Sequence, residues 1–254
     1  MKYARFKIRQ EEDIYQGEIT KNGIKEITGD IFGDWKFSDN EFSLDNVQFL
    51  VPIKPKHIIG IGVNYIAEEK ERPQTLPEIP VFFFKPISSI IGPEEAITIP
   101  KGLNEVKFES ELAVIIGKKA KNIKEEEALN YVFGYTVGND VTSPQYFRSD
   151  GHWTVGKAFD TFTPLGPVIE TDLDLSKVCV KSALNGEIKQ NSSTELMIIS
   201  VKKIISYLSN IMTLSPGDVI LTGAPVGAEF LKEDDIIECE IEEIGKLRNS
   251  VEKL

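Results

Sequence analysis

The sequence predicts an α+β fold that is mainly β. Short runs of alternating or β-branched apolar residues recur along the chain, and glycines and prolines separate them, which is typical of strands. Only two segments, 124–131 and 194–213, carry a helical pattern. The 254 residues are enough for one large domain, or for a large domain with a small appendage.

The first fifty residues predict a small β-rich unit. Ala4, Phe6 and Ile8 alternate with basic residues, as expected of a half-buried strand, and regularly spaced glycines separate further short strand-like pieces. Residues 51–56 contain two prolines, which disfavour regular structure, and so read as a connector. We therefore expect an N-terminal unit over residues 1–50 and a larger domain over residues 51–254.

Beyond the connector, the elements follow from apolar patterning. Residues 57–63, 131–139 and 219–222 read as strands, and alternating Ile237, Cys239 and Ile241 predict a half-exposed strand near the end of the chain. Polar residues and three prolines between 69 and 80 predict a loop over the site. The helix over 194–213 is expected to start at a Ser193 or Thr194 cap. Its apolar stripe would comprise Met197, Val201, Ile204, Ile205, Leu208 and Met212.

Composition excludes several classes of function. The formal net charge of −11 argues against nucleic acid or an anionic membrane as a partner. No apolar run reaches the roughly 18 to 20 residues that cross a bilayer, and the charged N-terminus lacks a signal-peptide core. Cys179 and Cys239 show no metal or redox spacing and are expected to be reduced core thiols. A cytoplasmic protein is therefore expected.

The most informative feature is a pair of carboxylates, Glu109 and Glu111, inside an otherwise apolar run from residue 108 to 117. Side chains two apart on a strand face the same side, with Cα atoms about 6.6 Å apart, and such carboxylates repel unless a proton or a cation lies between them. Asp140 follows another strand-like run. Three oxygen ligands without histidine or cysteine would suit Mg²⁺ or Mn²⁺. The spacing alone also fits the solvated face of an edge strand.

Two other motifs do not lead to a site. Gly60-Ile61-Gly62 follows a strand, but it lacks the third glycine and the later acidic residue of a dinucleotide-binding turn. The two histidines, His57 and His152, have no partner at the spacing of a nucleophile or a zinc ligand.

A succession of short motifs follows in fixed order, and it extends from about Ile58 to the C-terminus. These motifs are Ile59-Gly60-Ile61-Gly62-Val63-Asn64-Tyr65, Val81-Phe82-Phe83-Phe84-Lys85-Pro86, Phe108-Glu109-Ser110-Glu111-Leu112, Gly138-Asn139-Asp140-Val141-Thr142, Gly156-Lys157-Ala158-Phe159-Asp160, Leu165-Gly166-Pro167, Asn185-Gly186-Glu187 and Leu214-Ser215-Pro216-Gly217-Asp218-Val219-Ile220-Leu221-Thr222-Gly223-Ala224-Pro225. Together they resemble the fumarylacetoacetate hydrolase family, in particular its 2-hydroxyhepta-2,4-diene-1,7-dioate isomerase and acylpyruvase-like branch.

The resemblance implies a mixed β-roll with a few peripheral helices, a homodimer, and a site assembled around a divalent ion. Its members act on 2-oxo acids through enolate chemistry, in which the metal stabilises the charge left when a C–C bond, CO₂ or a proton departs. By resemblance, the Gly60-Ile61-Gly62 turn becomes a wall of the active site. The residues assigned by resemblance are Glu109, Glu111 and Asp140 as metal ligands, Lys157 as the catalytic lysine, and Lys85, Thr222 and Gly223 in substrate binding.

The chain departs from the hydrolytic pattern of that family at two places. Where hydrolytic members place a histidine and, three residues later, a glutamate, this chain has Glu68 and Glu71. Either glutamate is a candidate proton shuttle, although a carboxylate is poorly poised as a base near pH 7 unless burial raises its pKa. Pro144 stands where an arginine is usual, and Arg148 is the candidate substitute.

These features predict a Mg²⁺- or Mn²⁺-dependent hydrolase, lyase or isomerase of a small anionic 2-oxo acid, or of a related 2-hydroxy-dienoic or diketo acid. The net charge of −11 would repel such a substrate, so a cation and lysines must make the site locally positive. The alternatives are a dehydratase of 2-keto-3-deoxy sugar acids and a non-catalytic homologue that lost the histidine and the arginine.

Overall fold

The computed structural model describes residues 1–149, 152–176 and 178–254, and seventeen strands there form two open sheets. The strands are β1 (Lys2–Ile8), β2 (Ile14–Ile19), β3 (Ile24–Gly29), β4 (Trp35–Phe42), β5 (Val47–Phe49), β6 (Ile58–Gly62), β7 (Val81–Lys85), β8 (Ile90–Ile91), β9 (Ile97–Ile99), β10 (Ser110–Ile116), β11 (Val132–Asn139), β12 (Thr163–Glu170), β13 (Cys179–Leu184), β14 (Glu187–Ser193), β15 (Val219–Leu221), β16 (Ile236–Ile241) and β17 (Gly245–Lys253).

Helical structure in these described ranges is sparse. Its two α-helices are α1 (Thr154–Lys157) and α2 (Val201–Ile211). Short 3₁₀ segments occupy Leu44–Asn46, Glu69–Glu71, Ile87–Ser89, Glu125–Tyr131, Pro144–Tyr146 and Thr194–Leu196. The predicted α+β, mainly β fold is therefore confirmed. No described helix combines the length and the apolar character needed to span a membrane.

The larger sheet has twelve strands in the order β4-β3-β2-β1-β12-β11-β10-β15-β6-β7, with β5 beside β1 and β8 beside β12. The smaller sheet runs β14-β13-β16-β17-β9. Most pairs are antiparallel, whereas β15 with β6, β12 with β8 and β17 with β9 are parallel, so both sheets are mixed.

The first fifty residues extend the larger sheet. Strands β1 to β5 lie there, and β1 pairs with β12 at Lys2↔Glu170 and Tyr3↔Ile169. The connector 51–56 carries no strand, as its prolines predict. A division into two domains at residue 50 stays a prediction.

Strand β10 lies inside the larger sheet, between β11 and β15, and all seven of its residues are buried. Leu112, Val114 and Ile116 pack into one apolar cluster, and Ala113 and Ile115 pack into a second cluster on the opposite face. A strand covered on both faces reads as a continuous apolar run, which explains the composition of residues 112–116. An edge strand with a solvated face is thereby excluded for this segment.

The helix predicted over residues 194–213 is shorter than its pattern. Asn64 keeps Ile199 outside the helix through a hydrogen bond from the Ile199 N–H to Asn64 Oδ1 (2.8 Å) and one from Asn64 Nδ2 to the Ile199 carbonyl (3.1 Å). The cap is Ser200, whose hydroxyl accepts from the Lys203 N–H, rather than Ser193 or Thr194. The segment predicted as helical over 124–131 is a 3₁₀ segment.

Candidate metal and substrate site

Two neighbouring strands bring the three predicted carboxylates together. Strands β10 and β11 pair antiparallel with Glu111 opposite Gly138, and the Asp140 N–H donates to the Glu109 carbonyl at 2.9 Å. The Glu109 N–H donates to Asn139 Oδ1, also at 2.9 Å. One oxygen each of Glu109, Glu111 and Asp140 lies within 4.8 Å of the other two.

Three ammonium groups surround the carboxylates. Glu109 lies between two of them, with Oε1 at 2.7 Å from Lys107 Nζ and Oε2 at 2.7 Å from Lys157 Nζ. Lys157 also binds Asp140 Oδ2, and Lys85 Nζ binds Asp140 Oδ1 at 2.6 Å. Glu111 has no lysine partner among the described residues, and its Oε2 accepts the Gly223 N–H at 2.6 Å.

The protonation equilibria follow from this unequal distribution of partners. Burial and then the charge of Asp140 raise the pKa of Glu111 well above its usual value, against the opposing charge of Lys157. Burial also acts to raise the pKa of Asp140, but Lys157 and Lys85 outweigh it, so that pKa is lowered. Burial acts to lower the pKa of Lys157, yet Asp140 and Glu109 outweigh it and raise that pKa. Asp140 is thus held ionised, and Lys157 is held as an ammonium ion.

The carboxylates open into a cavity of about 450 Å³. Its charged lining consists of Lys107, Glu109, Glu111, Asp140 and Lys157. Phe147 and Trp153 form an aromatic side, while Ile61, Gly62 and Val63 and the segment 224–228 complete the wall. No histidine of the described residues lines this cavity.

Gly60, Ile61 and Gly62 lie in strand β6 rather than in a turn, and two aromatic rings require the glycines. A Cβ on Gly60 would lie 2.3 Å from Cζ of Phe83, and a Cβ on Gly62 would lie 2.2 Å from Cζ3 of Trp153. Phe83 also lies under Lys157, whose Nζ is 4.8 Å from the ring centroid. The glycines therefore let two rings approach the backbone at the site, and Gly62 forms part of the cavity wall.

Two residues assigned by resemblance to substrate binding lie behind the cavity wall. Lys85 is fully buried and donates to Asp140, to the Val141 carbonyl and to the Lys157 carbonyl. Thr222 is buried, and its hydroxyl donates to the Leu112 carbonyl. Neither side chain lines the cavity, and their assignment to substrate binding stays a prediction. Gly223 acts on Glu111 through its N–H, and a contact with substrate stays a prediction.

The two candidate proton shuttles are not brought to the carboxylates. Glu68 is exposed and pairs with Lys70, and Glu71 is exposed on the 3₁₀ segment Glu69–Glu71, where it accepts the Ala67 N–H. Neither side chain lines the cavity. Their sequence assignment assumed that the family spacing places them beside the carboxylates, but the loop after β6 turns them to solvent.

Sequence reasoning missed six residues that line the cavity: the side chains of Lys107, Phe147 and Trp153, and the wall residues Val226, Gly227 and Ala228. A signal existed for Lys107, because it precedes Glu109 by two residues and the strand period places both on one face. The two aromatic residues gave no such signal. They lie between β11 and β12, where no regular period relates a residue to the site.

Comparison with known proteins identifies the family. Residues 57–252 match the model described as "Fumarylacetoacetate (FAA) hydrolase C-terminal", and residues 1–52 match "Rv2993c-like, N-terminal". The chain belongs to the fumarylacetoacetate hydrolase family. An uncharacterized protein of Methanocaldococcus jannaschii is 49% identical over 199 residues, which cover 78% of this chain and 84% of that protein.

Two further members of the fumarylacetoacetate hydrolase family have named activities. A mitochondrial oxaloacetate tautomerase of Xenopus laevis is 42% identical over 222 residues, covering 82% of this chain and 70% of that protein. The crystal structure of 5-carboxymethyl-2-hydroxymuconate delta-isomerase from Mycobacterium smegmatis is 37% identical, with a TM-score of 0.92 over the full length of both chains. The chain is thus similar to enzymes of isomerase and tautomerase type.

The donor set fits a hard divalent cation. All three candidate ligands are carboxylates, and their oxygens converge within 4.8 Å at the base of an open cavity. Burial, and then the charge of Asp140, raises the pKa of Glu111, and a cation beside this carboxylate would favour its ionised form. Glu109, Glu111 and Asp140 are therefore the residues that could hold the ion.

Proposed function

We propose that this protein is a divalent-metal-dependent tautomerase of a small 2-oxo acid, with oxaloacetate as the representative substrate. The observation that carries the proposal is the convergence of Glu109, Glu111 and Asp140 beside the Lys157 ammonium group in an open cavity. The similarity to oxaloacetate tautomerases supports the choice of reaction.

Each residue has a defined task in this proposal. Glu109, Glu111 and Asp140 hold the ion, while Lys85 and the Gly223 N–H fix the orientations of Asp140 and Glu111. When bound, Mg²⁺ or Mn²⁺ supplies a Lewis acid that polarises the keto oxygen of the substrate. Lys157 stays an ammonium ion and donates a hydrogen bond to the oxygen that gains negative charge as the C3 proton leaves.

The residues at the cavity favour proton transfer over hydrolysis of a C–C bond. Hydrolysis needs a positioned base that activates water, and no histidine of the described residues lines the cavity. Glu68 and Glu71, the sequence candidates for that role, are turned to solvent. Tautomerisation requires only that the charge of an enolate be stabilised and that water in the open cavity accept and return a proton.

The test measures the conversion of enol-oxaloacetate to its keto form. The reaction is monitored as a decrease in the absorbance of the enol. We expect Mg²⁺ or Mn²⁺ to accelerate the conversion in the presence of the protein, EDTA to abolish this effect, and Glu111→Gln to abolish it as well. Glu126→Gln is the matched control, since Glu126 is exposed on a 3₁₀ segment away from the cavity. Turnover that persists in EDTA would contradict metal dependence. Cleavage of an acylpyruvate without tautomerase activity would favour a hydrolase instead.

The assembly that the resemblance implies, a homodimer, also belongs to this proposal. We expect the purified protein to sediment as a dimer, and a monomer would contradict this part of the proposal.

A further inference from the structure

We propose that Lys107 binds the second carboxylate of a dianionic 2-oxo acid and thereby selects dicarboxylates over monocarboxylates. This inference rests on the proposed function, and it concerns the substrate preference of the same site. Lys107 lines the cavity, and its backbone is fixed at the rim, where its N–H donates to the Thr142 carbonyl at 2.9 Å and its carbonyl accepts the Thr142 N–H at 3.0 Å.

The three ammonium groups near the carboxylates differ in what holds them. Lys85 has a fully buried side chain with three hydrogen-bond acceptors, and Lys157 is 4% exposed between two carboxylates. Lys107 is 28% exposed, and Glu109 is its one carboxylate partner among the described residues. Of the three, Lys107 is therefore the ammonium group that can turn toward a ligand in the cavity at the lowest cost in lost contacts.

A cation at the carboxylates would release Lys107 for this task. Glu109 now shares its two oxygens between Lys107 and Lys157. A divalent ion held by Glu109 competes for the same negative charge, and Lys107 is the more exposed of the two lysines. Its ammonium group would then face the cavity with donors available to an anionic oxygen.

The charge balance of the site points to a dianion. The three carboxylates and the three ammonium groups of Lys85, Lys107 and Lys157 cancel formally, and a divalent ion leaves two positive charges to be matched. A 2-oxo monocarboxylate supplies one negative charge, whereas a 2-oxo dicarboxylate supplies two. The additional carboxylate requires a cationic partner beyond the metal and Lys157, and the partly exposed ammonium group of Lys107 meets that requirement.

The experiment measures binding rather than turnover. Dissociation constants of Mg²⁺-loaded protein are measured by calorimetry for oxaloacetate, for its 4-methyl ester, which lacks only the second charge, and for oxalate. We expect Lys107→Met to weaken oxaloacetate binding about 10- to 100-fold, as the loss of a charge-assisted hydrogen bond does. Binding of the ester and of oxalate should stay within about threefold. Lys107→Arg keeps the charge and should keep the preference for oxaloacetate.

Lys119→Met is the matched control, since Lys119 is an exposed lysine outside the cavity and should leave all three constants unchanged. Equal weakening of all three ligands by Lys107→Met would overturn the inference, because Lys107 would then act through Glu109 and the metal. Unchanged oxaloacetate binding would overturn it too. A wild-type protein that binds no Mg²⁺ would overturn the proposed function and this inference with it.

Discussion

The carboxylates at the paired ends of β10 and β11 form the strand-borne group (Glu109, Glu111 and Asp140), and those in the loop after β6 form the loop-borne group (Glu68 and Glu71). The two groups lie in opposite environments. Glu109, Glu111 and Asp140 converge within 4.8 Å at the base of a cavity. Glu68 and Glu71 carry the same chemical group, but they are exposed and contact a neighbouring lysine or a local backbone N–H. The residue type alone therefore does not determine which carboxylates form the site. The backbone hydrogen bonds that fix the register of the strands determine it.

Glu111→Gln should have the largest effect, because it removes a candidate ligand from the strand-borne group. We expect affinity for Mg²⁺ or Mn²⁺ to fall by more than the roughly 10- to 100-fold that loss of an outer supporting contact costs. In the metal-free protein the same change should raise the melting temperature by about 2–4 °C, since burial and then repulsion by Asp140 disfavour an ionised carboxylate at this position.

A thermal-shift titration with Mn²⁺ and oxalate measures both effects of Glu111→Gln. The wild type should show a metal-dependent oxalate shift, and Glu126→Gln should reproduce it. A variant that retains the shift would mean that Glu111 is not a ligand. A lower melting temperature without metal would mean that its charge is already compensated.

Lys85→Met tests whether the buried ion pair between Lys85 and Asp140 stabilises the strand-borne group. Lys85 is the buried partner of Asp140, and its ammonium group satisfies two backbone carbonyls as well. Removing one partner of a buried ion pair costs about 3–5 kcal/mol. We therefore expect the melting temperature to fall by about 6–20 °C. Chemical unfolding gives the free energy directly. If the free energy of unfolding falls by less than about 1 kcal/mol, as for the exposed control Lys119→Met, the ion pair of Lys85 and Asp140 does not stabilise the fold.

The strand-borne group could be predicted from the sequence because period-two patterning fixes which side chains share a face. Glu109 and Glu111 are two residues apart, and the end of the next strand-like run brings Asp140 beside them. The mainly β fold followed from the same patterning. The start of α2 could not be predicted in this way, since hydrogen bonds from Asn64, distant in sequence, hold residue 199 outside the helix.

The aromatic side of the cavity could not be predicted from the sequence. Gly60 and Gly62 read as a turn motif, whereas the structure shows that they make room for Phe83 and Trp153. Nothing in the local sequence links Gly62 to a residue some ninety positions later. The close approach of Gly62 and Trp153 depends on the tertiary packing of distant segments, so only the structure shows it.

Gly62→Ala tests this close approach. Gly62 does not have a positive φ, so alanine is compatible with its backbone, but the new methyl group would lie 2.2 Å from Cζ3 of Trp153. We expect a loss of about 1–3 kcal/mol, typical of an overpacked site, measured by urea unfolding. In a Trp153→Ala background the same substitution should cost almost nothing. If Gly62→Ala lowers the free energy of unfolding equally in both backgrounds, the new methyl group does not clash with Trp153.

Glu71→Gln should have the smallest effect and tests the loop-borne group. Its carboxylate accepts one N–H, from Ala67, and the amide oxygen of glutamine can accept the same hydrogen bond. Because Glu71 lies outside the cavity, we expect the rate of oxaloacetate tautomerisation and the affinity for Mn²⁺ to stay within about twofold of the wild type. A rate that falls tenfold or more while Mn²⁺ and oxalate still bind normally would restore Glu71 as a proton shuttle, and it would require the loop after β6 to approach the carboxylates during turnover.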